Sequence, residues 1–130
     1  MDPKNQQFYK DLFISTARDY LKSIEESLSL IKNDSSNQEV IEKLHIAFHS
    51  LGSQSLVMGF ATTGAFCRKN EAILSEIRKN QSPLNQPLIE ELSKSKQIIE
   101  ASISNIETQG AEVDLTNDTK SLEEKEASLR

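Results

Sequence analysis

Residues 36–60 read SNQEVIEKLHIAFHSLGSQSLVMGF, and the spacing of their apolar positions decides the fold. Ile41, Leu44, Phe48, Leu51, Ser55 and Met58 recur at steps of three and four, the period of a helix with one buried face. Ser36 and Glu39 have the S-x-x-E spacing of a capping box, which predicts where the helix opens. Gly59, then Thr62-Thr63-Gly64, predict a short break after it.

The same rhythm continues on both sides. Upstream, Asp2-Pro3 places a capping residue before a Pro at the first helical position. The stripe that follows is Phe13, Ala17, Tyr20/Leu21, Ile24, Leu28 and Ile31, ending at Asn33-Asp34-Ser35. Downstream, Phe66, Asn70, Ile73 and Ile77, with Cys67 and Leu74 beside them, form a third stripe up to a turn at Asn80-Gln81-Ser82-Pro83. A fourth helix starts near Asn85 to Pro87, carries Leu88, Leu92, Ser95, Ile99, Ile103 and Ile106, and closes at Gly110. Isolated helices are marginal in water, so each stripe must be covered by the others. Short connections make sequential helices antiparallel neighbours. The expected fold is therefore all-α, an up-down-up-down four-helix bundle over residues 1–109. Residues 110–130 are polar, with Val113, Leu115, Leu122 and Leu129 as their large aliphatics. They read as a linker, a disordered tail or a weakly attached short fifth helix from about Ser121.

The composition narrows the function classes. At 130 residues the chain suits one domain. A net charge of -5 leaves no basic footprint for nucleic acid. Lysines and acids are interspersed, as on solvated helix faces. The single Cys67 excludes an internal disulfide and a multi-cysteine metal site, and reads as a small buried hydrophobe. No apolar run approaches the ~20 residues of a membrane span, and the N-terminus lacks a signal pattern. A cytoplasmic, monomeric domain is expected, with no membrane or nucleic-acid partner.

The two histidines, His45 and His49, lie four apart on the second helix. They read as structural histidines, as a metal pair on one face, or as a reactive imidazole. A shared metal needs further ligands, and no spaced His/Cys set supplies them, so no metal is expected. At 100° per residue the centre of the Ile41–Met58 stripe is about 130° from His49 and about 90° from His45. His49 is thus expected on an accessible flank and His45 at the core boundary, where packing is its expected role. Past His49 the chain carries Gly52, Ser53 and Ser55. The Gly costs about 1 kcal/mol in a helix. Two readings offset that cost: close packing against a neighbouring helix, or room beside the imidazole for a partner or a phosphoryl group.

His49-Ser50-Leu51, with Gly59-Phe60 ten and eleven residues after the histidine, resembles the pattern of histidine-phosphotransfer (HPt) domains. Within that family the likeness is in particular to the N-terminal domains of CheA-type chemotaxis histidine kinases. The opening Met1-Asp2, the helix from Phe8-Tyr9 to Ile31, and the helix carrying Cys67, Glu71, Leu74 and Ile77 share the likeness, which covers roughly residues 5 to 107. The resemblance implies a phosphocarrier of a two-component relay. His49 would accept a phosphoryl group on its outer ring nitrogen from a histidine kinase and pass it to a receiver-domain aspartate. The nucleophile is the neutral imidazole. By the same resemblance Glu71 would accept the inner N–H, fix the tautomer and raise basicity. The alternative for Glu71 is an ordinary surface acid.

The family's Lys three residues after the histidine is Gly52 here, and the Gly after it is Ser53. Arg68 stands where CheA-type domains carry a second, third-helix histidine, three residues before Glu71. Arg68 is therefore a candidate charge partner for the phosphoryl group, since a guanidinium fork suits phosphoryl oxygens. The alternative is a pair with Glu71 or with solvent. No nucleotide-binding motif is present. The domain is not expected to be an enzyme by itself; ATP and Mg2+ would belong to the partner kinase domain, and the chain would be the N-terminal piece of a larger kinase. Two other functions stay open: a degenerate HPt-like module that docks a receiver or kinase without carrying phosphate, and a plain helical adaptor in which His49 is incidental.

Overall fold

The computed structural model describes residues 2–129. These form five helices, α1 (Pro3–Ile31), α2 (Gln38–Val57), α3 (Ala61–Asn80), α4 (Gln86–Gln109) and α5 (Thr116–Ser128). Helix α1 packs on α2 and α4, and α3 packs on α2, α4 and α5. The backbones of the diagonal pairs α1/α3 and α2/α4 stay apart, and only their side chains share the core. That adjacency is a four-helix bundle with sequential neighbours side by side, and the short connections make those neighbours antiparallel. No strand occurs among the described residues, and no helix among them is long and apolar enough to cross a membrane.

The stripes point inward. Phe13, Ala17, Leu21, Ile24, Leu28 and Ile31 are buried against Ile41, Leu44, Phe48 and Leu51, and against Phe66, Ile73, Leu74, Ile77 and the α4 series to Ile106. Burying one such side chain contributes about 1.5–3 kcal/mol, enough for each helix to need the others. Cys67 is fully buried, and burial pushes its thiol pKa up to about 12.

Three local expectations are corrected. The cap of α2 is Asn37, not Ser36: the Val40 N–H donates to Asn37 Oδ1 at 3.2 Å. Asn37 sits one residue closer to the first turn, and its side chain reaches that orphan donor. Thr62-Thr63-Gly64 do not break the chain but form the first turn of α3. The break is confined to residues 58–60, where Gly59 takes φ +86°. There Phe60 N–H donates to Ser55 O at 2.8 Å and Gly59 N–H to Leu56 O at 3.0 Å, the Schellman pair that stops a helix at a left-handed residue. Phe60 then folds back on the core, its ring 5.5 Å from that of Phe13.

The third correction concerns the C-terminal segment. Of the alternatives there, the chain takes the helix, which begins at Thr116, earlier than Ser121. Leu115 and Leu122 are buried in the core cluster. Lys69 pairs with Glu126 at 3.0 Å and Lys125 with Glu91 at 2.6 Å, so α5 is tied to both α3 and α4. The connection before it also caps α3. Phe60 offers that helix no side-chain cap; Glu112 instead accepts from Thr63 N–H at 2.7 Å and Thr62 N–H at 3.3 Å. A carboxylate at a helix N-terminus satisfies orphan donors and complements the helix dipole.

Candidate functional site

Helices α2 and α3 run antiparallel, so residues before His49 face residues after Glu71, and residues after His49 face residues before it. The contact is close because two glycines meet there. A Cβ on Gly64 would lie 2.6 Å from Leu56 Cγ and 3.2 Å from Gly52 O. A Cβ on Gly52 would lie 3.1 Å from Arg68 Cγ, 3.4 Å from Cys67 Cβ and 3.4 Å from Gly64 O. Gly52 is buried. Of its two readings, close packing is the one the structure takes; the space beside the backbone is filled by α3, not left for a ligand.

Such proximity brings the α3 side chains onto the α2 flank. His49 is half exposed, its side chain at 52%. Its Nδ1 lies 2.8 Å from Glu71 Oε2. Glu71 is more enclosed, at 18%, so the carboxylate is held between the helices while the imidazole reaches outward. With a carboxylate on Nδ1, that nitrogen carries the proton, and the lone pair of the neutral ring is on Nε2. Nε2 has no partner among the described residues. A neutral imidazole with its inner N–H on a carboxylate and its outer lone pair free is an oriented nucleophile.

Arg68 is exposed and lies one turn before Glu71 on α3. Its stem crosses α2 at Gly52, one turn beyond His49. It makes no hydrogen bond or ion pair among the described residues, and Glu71 is engaged by the histidines instead. The side chain also borders a surface groove with Leu56, Ala65, Lys69, Thr119 and Glu123, where α3 meets α5.

His45 packs at the boundary, as its angle implied, yet it also makes polar contacts that spacing alone did not reveal. Its Nε2 is 3.0 Å from Ser75 Oγ and 3.7 Å from Glu71 Oε2. Arg78 Nη1 lies 3.3 Å from its Nδ1. Burial first, then the Arg78 charge, lower its pKa; Glu71 and Glu42 pull the other way, and His49 adds to the lowering. The signal was present in the order of the chain. Glu71, Ser75 and Arg78 follow one another at steps of four and three, so they share the face opposite His45 once the helices are antiparallel. No group of three or more His, Cys, Asp or Glu side chains that could hold a metal is found among the described residues.

On the other side of His49 an apolar groove of about 360 Å³ runs between α1 and α2. Tyr9, Leu12, Phe13, Val57 and Met58 line it, with Ser53 and Gln54, one turn past His49 in the chain, among the polar members of its wall. Leu12, Val57, Tyr9 and the adjacent Phe8 are exposed, Val57 at 86%.

Known proteins share the fold and part of the sequence. The chain is 24% identical over 100 residues to the chemotaxis protein CheA of Listeria monocytogenes and, equally, of Listeria innocua. The match takes in 77% of this chain and only 16% of each relative. The fold is that of the phosphorylated P1 domain of CheA3 from R. sphaeroides, solved in complex with CheY6, at a TM-score of 0.85, 18% identity, and coverage of 94% of this chain and 98% of that one. A family model, the Hpt domain, matches residues 9–109. That match takes in α2, α3 and the whole His49–Glu71 pair, and the chain belongs to the Hpt domain family.

Proposed function

We propose that this domain carries a phosphoryl group on Nε2 of His49, received from the catalytic domain of a histidine kinase and delivered to a receiver-domain aspartate. The observation that carries the reading is the 2.8 Å contact of His49 Nδ1 with Glu71 Oε2 on a half-exposed ring. The neutral Nε2 lone pair attacks the γ-phosphorus of ATP held by the kinase domain. An N–P bond forms and the P–O bond to ADP breaks. The positive charge that builds on the ring is spread over Nδ1–H and met by Glu71. In the second step a receiver carboxylate oxygen attacks the phosphorus, the N–P bond breaks, and the imidazole leaves neutral with its Nδ1 proton in place.

Arg68 is assigned the phosphoryl oxygens. Its free guanidinium and its path over Gly52 support that role in the absence of the family's Lys. The apolar groove one turn from His49 suits the receiver, which must bring an aspartate to the ring while burying apolar surface against α1 and α2. ATP and Mg2+ belong to the kinase domain, and the site needs none of its own. His49 and Glu71 pair within one chain, so the pair needs no second copy of the domain, and an ATP-dependent donor supports a cytoplasmic setting. Incubation with a partner kinase domain and ATP should leave an acid-labile label that is absent from His49→Gln. Receiver binding without label would instead favour the docking module that carries no phosphate.

A further inference from the structure

One oxygen of Glu71 faces two imidazoles. Oε2 lies 2.8 Å from His49 Nδ1 and 3.7 Å from Nε2 of His45, one turn earlier on α2. His45 is the more enclosed ring, at 15%. Ser75 Oγ lies 3.0 Å from its Nε2. Arg78 Nη1 lies 3.3 Å from one ring nitrogen and 3.4 Å from the other. Near-equal distances put that cation over the ring rather than on one lone pair. Arg78 is itself held by Glu42 through its Nε. The charges that act on His45 are therefore Arg78 and Glu71 from α3, and Glu42 and His49 from α2.

A neutral His45 leaves Glu71 to His49. A protonated His45 does not. Both of its ring nitrogens then donate, and the nearest anionic oxygen to Nε2 is the one His49 uses. A cation there weakens the carboxylate as an acceptor and competes for its lone pairs.

Resting on the reading of His49 as phosphoryl acceptor, we propose that His45 is a positioning residue for that ring: when protonated it contests the Glu71 carboxylate, and Arg78 keeps it from doing so. His45 does not touch the phosphoryl group. It acts through Glu71, and Arg78 sets the pH at which it begins to act. The burial of His45 and the cation over it both favour the neutral ring, which fits a residue kept out of the contest at neutral pH.

The test is a pH series on the whole chain with phosphoramidate, a small phosphoryl donor that needs no kinase. Four forms are compared: wild type, Arg78→Gln, His45→Phe and the double variant. The rate of His49 labelling is followed for each form down to the acidic limb of its pH profile. In Arg78→Gln that acidic limb should move up by about half a pH unit, because His45 protonates earlier. In His45→Phe the same Arg78→Gln change should leave the limb in place. A limb that moves equally in both backgrounds, or in neither, overturns the proposal. Ring-nitrogen NMR on 15N-histidine chain reads the coupling without any labelling. Arg78→Gln should raise the His45 midpoint, and the His49 Nδ1 resonance should change with it. An unchanged His49 resonance through the His45 titration contradicts the proposal even in a chain that takes no label. Absence of label in wild type speaks instead against the phosphocarrier reading.

Discussion

His49 Nδ1 sits 2.8 Å from Glu71 Oε2, across the α2–α3 contact and 22 residues apart in sequence. This bond fixes the tautomer, so Glu71 variants should act on rate more than on folding. A hydrogen bond to a charged group contributes about 1.5–3 kcal/mol. Glu71→Ala should therefore slow phosphorylation of His49 by roughly 10–100-fold. Glu71→Gln keeps an acceptor oxygen without the charge and should lose less. Initial rates with kinase domain and ATP read the effect, and circular dichroism checks the fold. Wild-type rates in Glu71→Ala would remove Glu71 from the mechanism.

Arg68 crosses α2 at Gly52 and forms no pair among the described residues. Arg68→Ala should slow phosphorylation by roughly 3–10-fold, the range for one charge-assisted contact that is partly solvated. Stability should change by less than about 0.5 kcal/mol, as for an unpaired surface residue. Adding Gly52→Lys to Arg68→Ala should recover much of the rate, since truncating Arg68 removes the Cγ that a Cβ at Gly52 would meet at 3.1 Å. An Arg68→Ala chain that labels as fast as wild type contradicts the assignment.

Glu112 caps α3, the helix that carries Glu71. Burial works to raise its pKa, but the bonds from Thr63 and Thr62 outweigh it, and the net direction is down. A carboxylate lowered on folding stabilises the fold above its unfolded pKa, and that contribution is lost as pH falls through the folded pKa. Glu112→Gln should cost about 0.5–2 kcal/mol at neutral pH, the range for a lost cap. The difference from wild type should shrink in acid, below the ordinary glutamate value of 4.5. Urea melts at neutral and acid pH measure both. An equal loss at every pH would mean that the charge does not matter.

The groove between α1 and α2 makes a separate prediction. Leu12 and Val57 are exposed at 51% and 86%, so changing them leaves the core intact. Leu12→Glu and Val57→Glu should weaken receiver binding, roughly tenfold or more if they are anchors of that interface. Labelling of His49 by phosphoramidate should be unchanged. Binding by calorimetry, with labelling as the control, separates docking from chemistry. Unaltered receiver affinity would move the docking surface elsewhere.

The four main stripes were legible because period and burial coincide: the apolar residues from Phe13 to Ile106 chosen on spacing are core residues, except that Tyr20 and Met58 are half-buried at its edge, and Ser55, Asn70 and Ser95 are buried with them. The exposure of His49 was legible too, since its angle of about 130° from the centre of the stripe puts it on the flank. The caps were less so. Ser36 and Asn37 are both good caps, and propensity does not separate neighbours one residue apart. Glu112 was out of reach, because it caps a helix that begins fifty residues earlier and only tertiary packing brings them together. The His45 contacts lie between. They follow from the antiparallel pairing of α2 and α3, but the ring's share in Glu71 needed the distance.

The central claim is that Nε2 of His49 carries the phosphoryl group while Nδ1 stays on Glu71. The most direct measurement is two-dimensional phosphorus–nitrogen NMR on the 15N-histidine chain after treatment with phosphoramidate. A single adduct is expected, with phosphorus bonded to Nε2 of His49 and a proton retained on Nδ1. An adduct at Nδ1, an adduct on His45, or an unmodified His49 would contradict it.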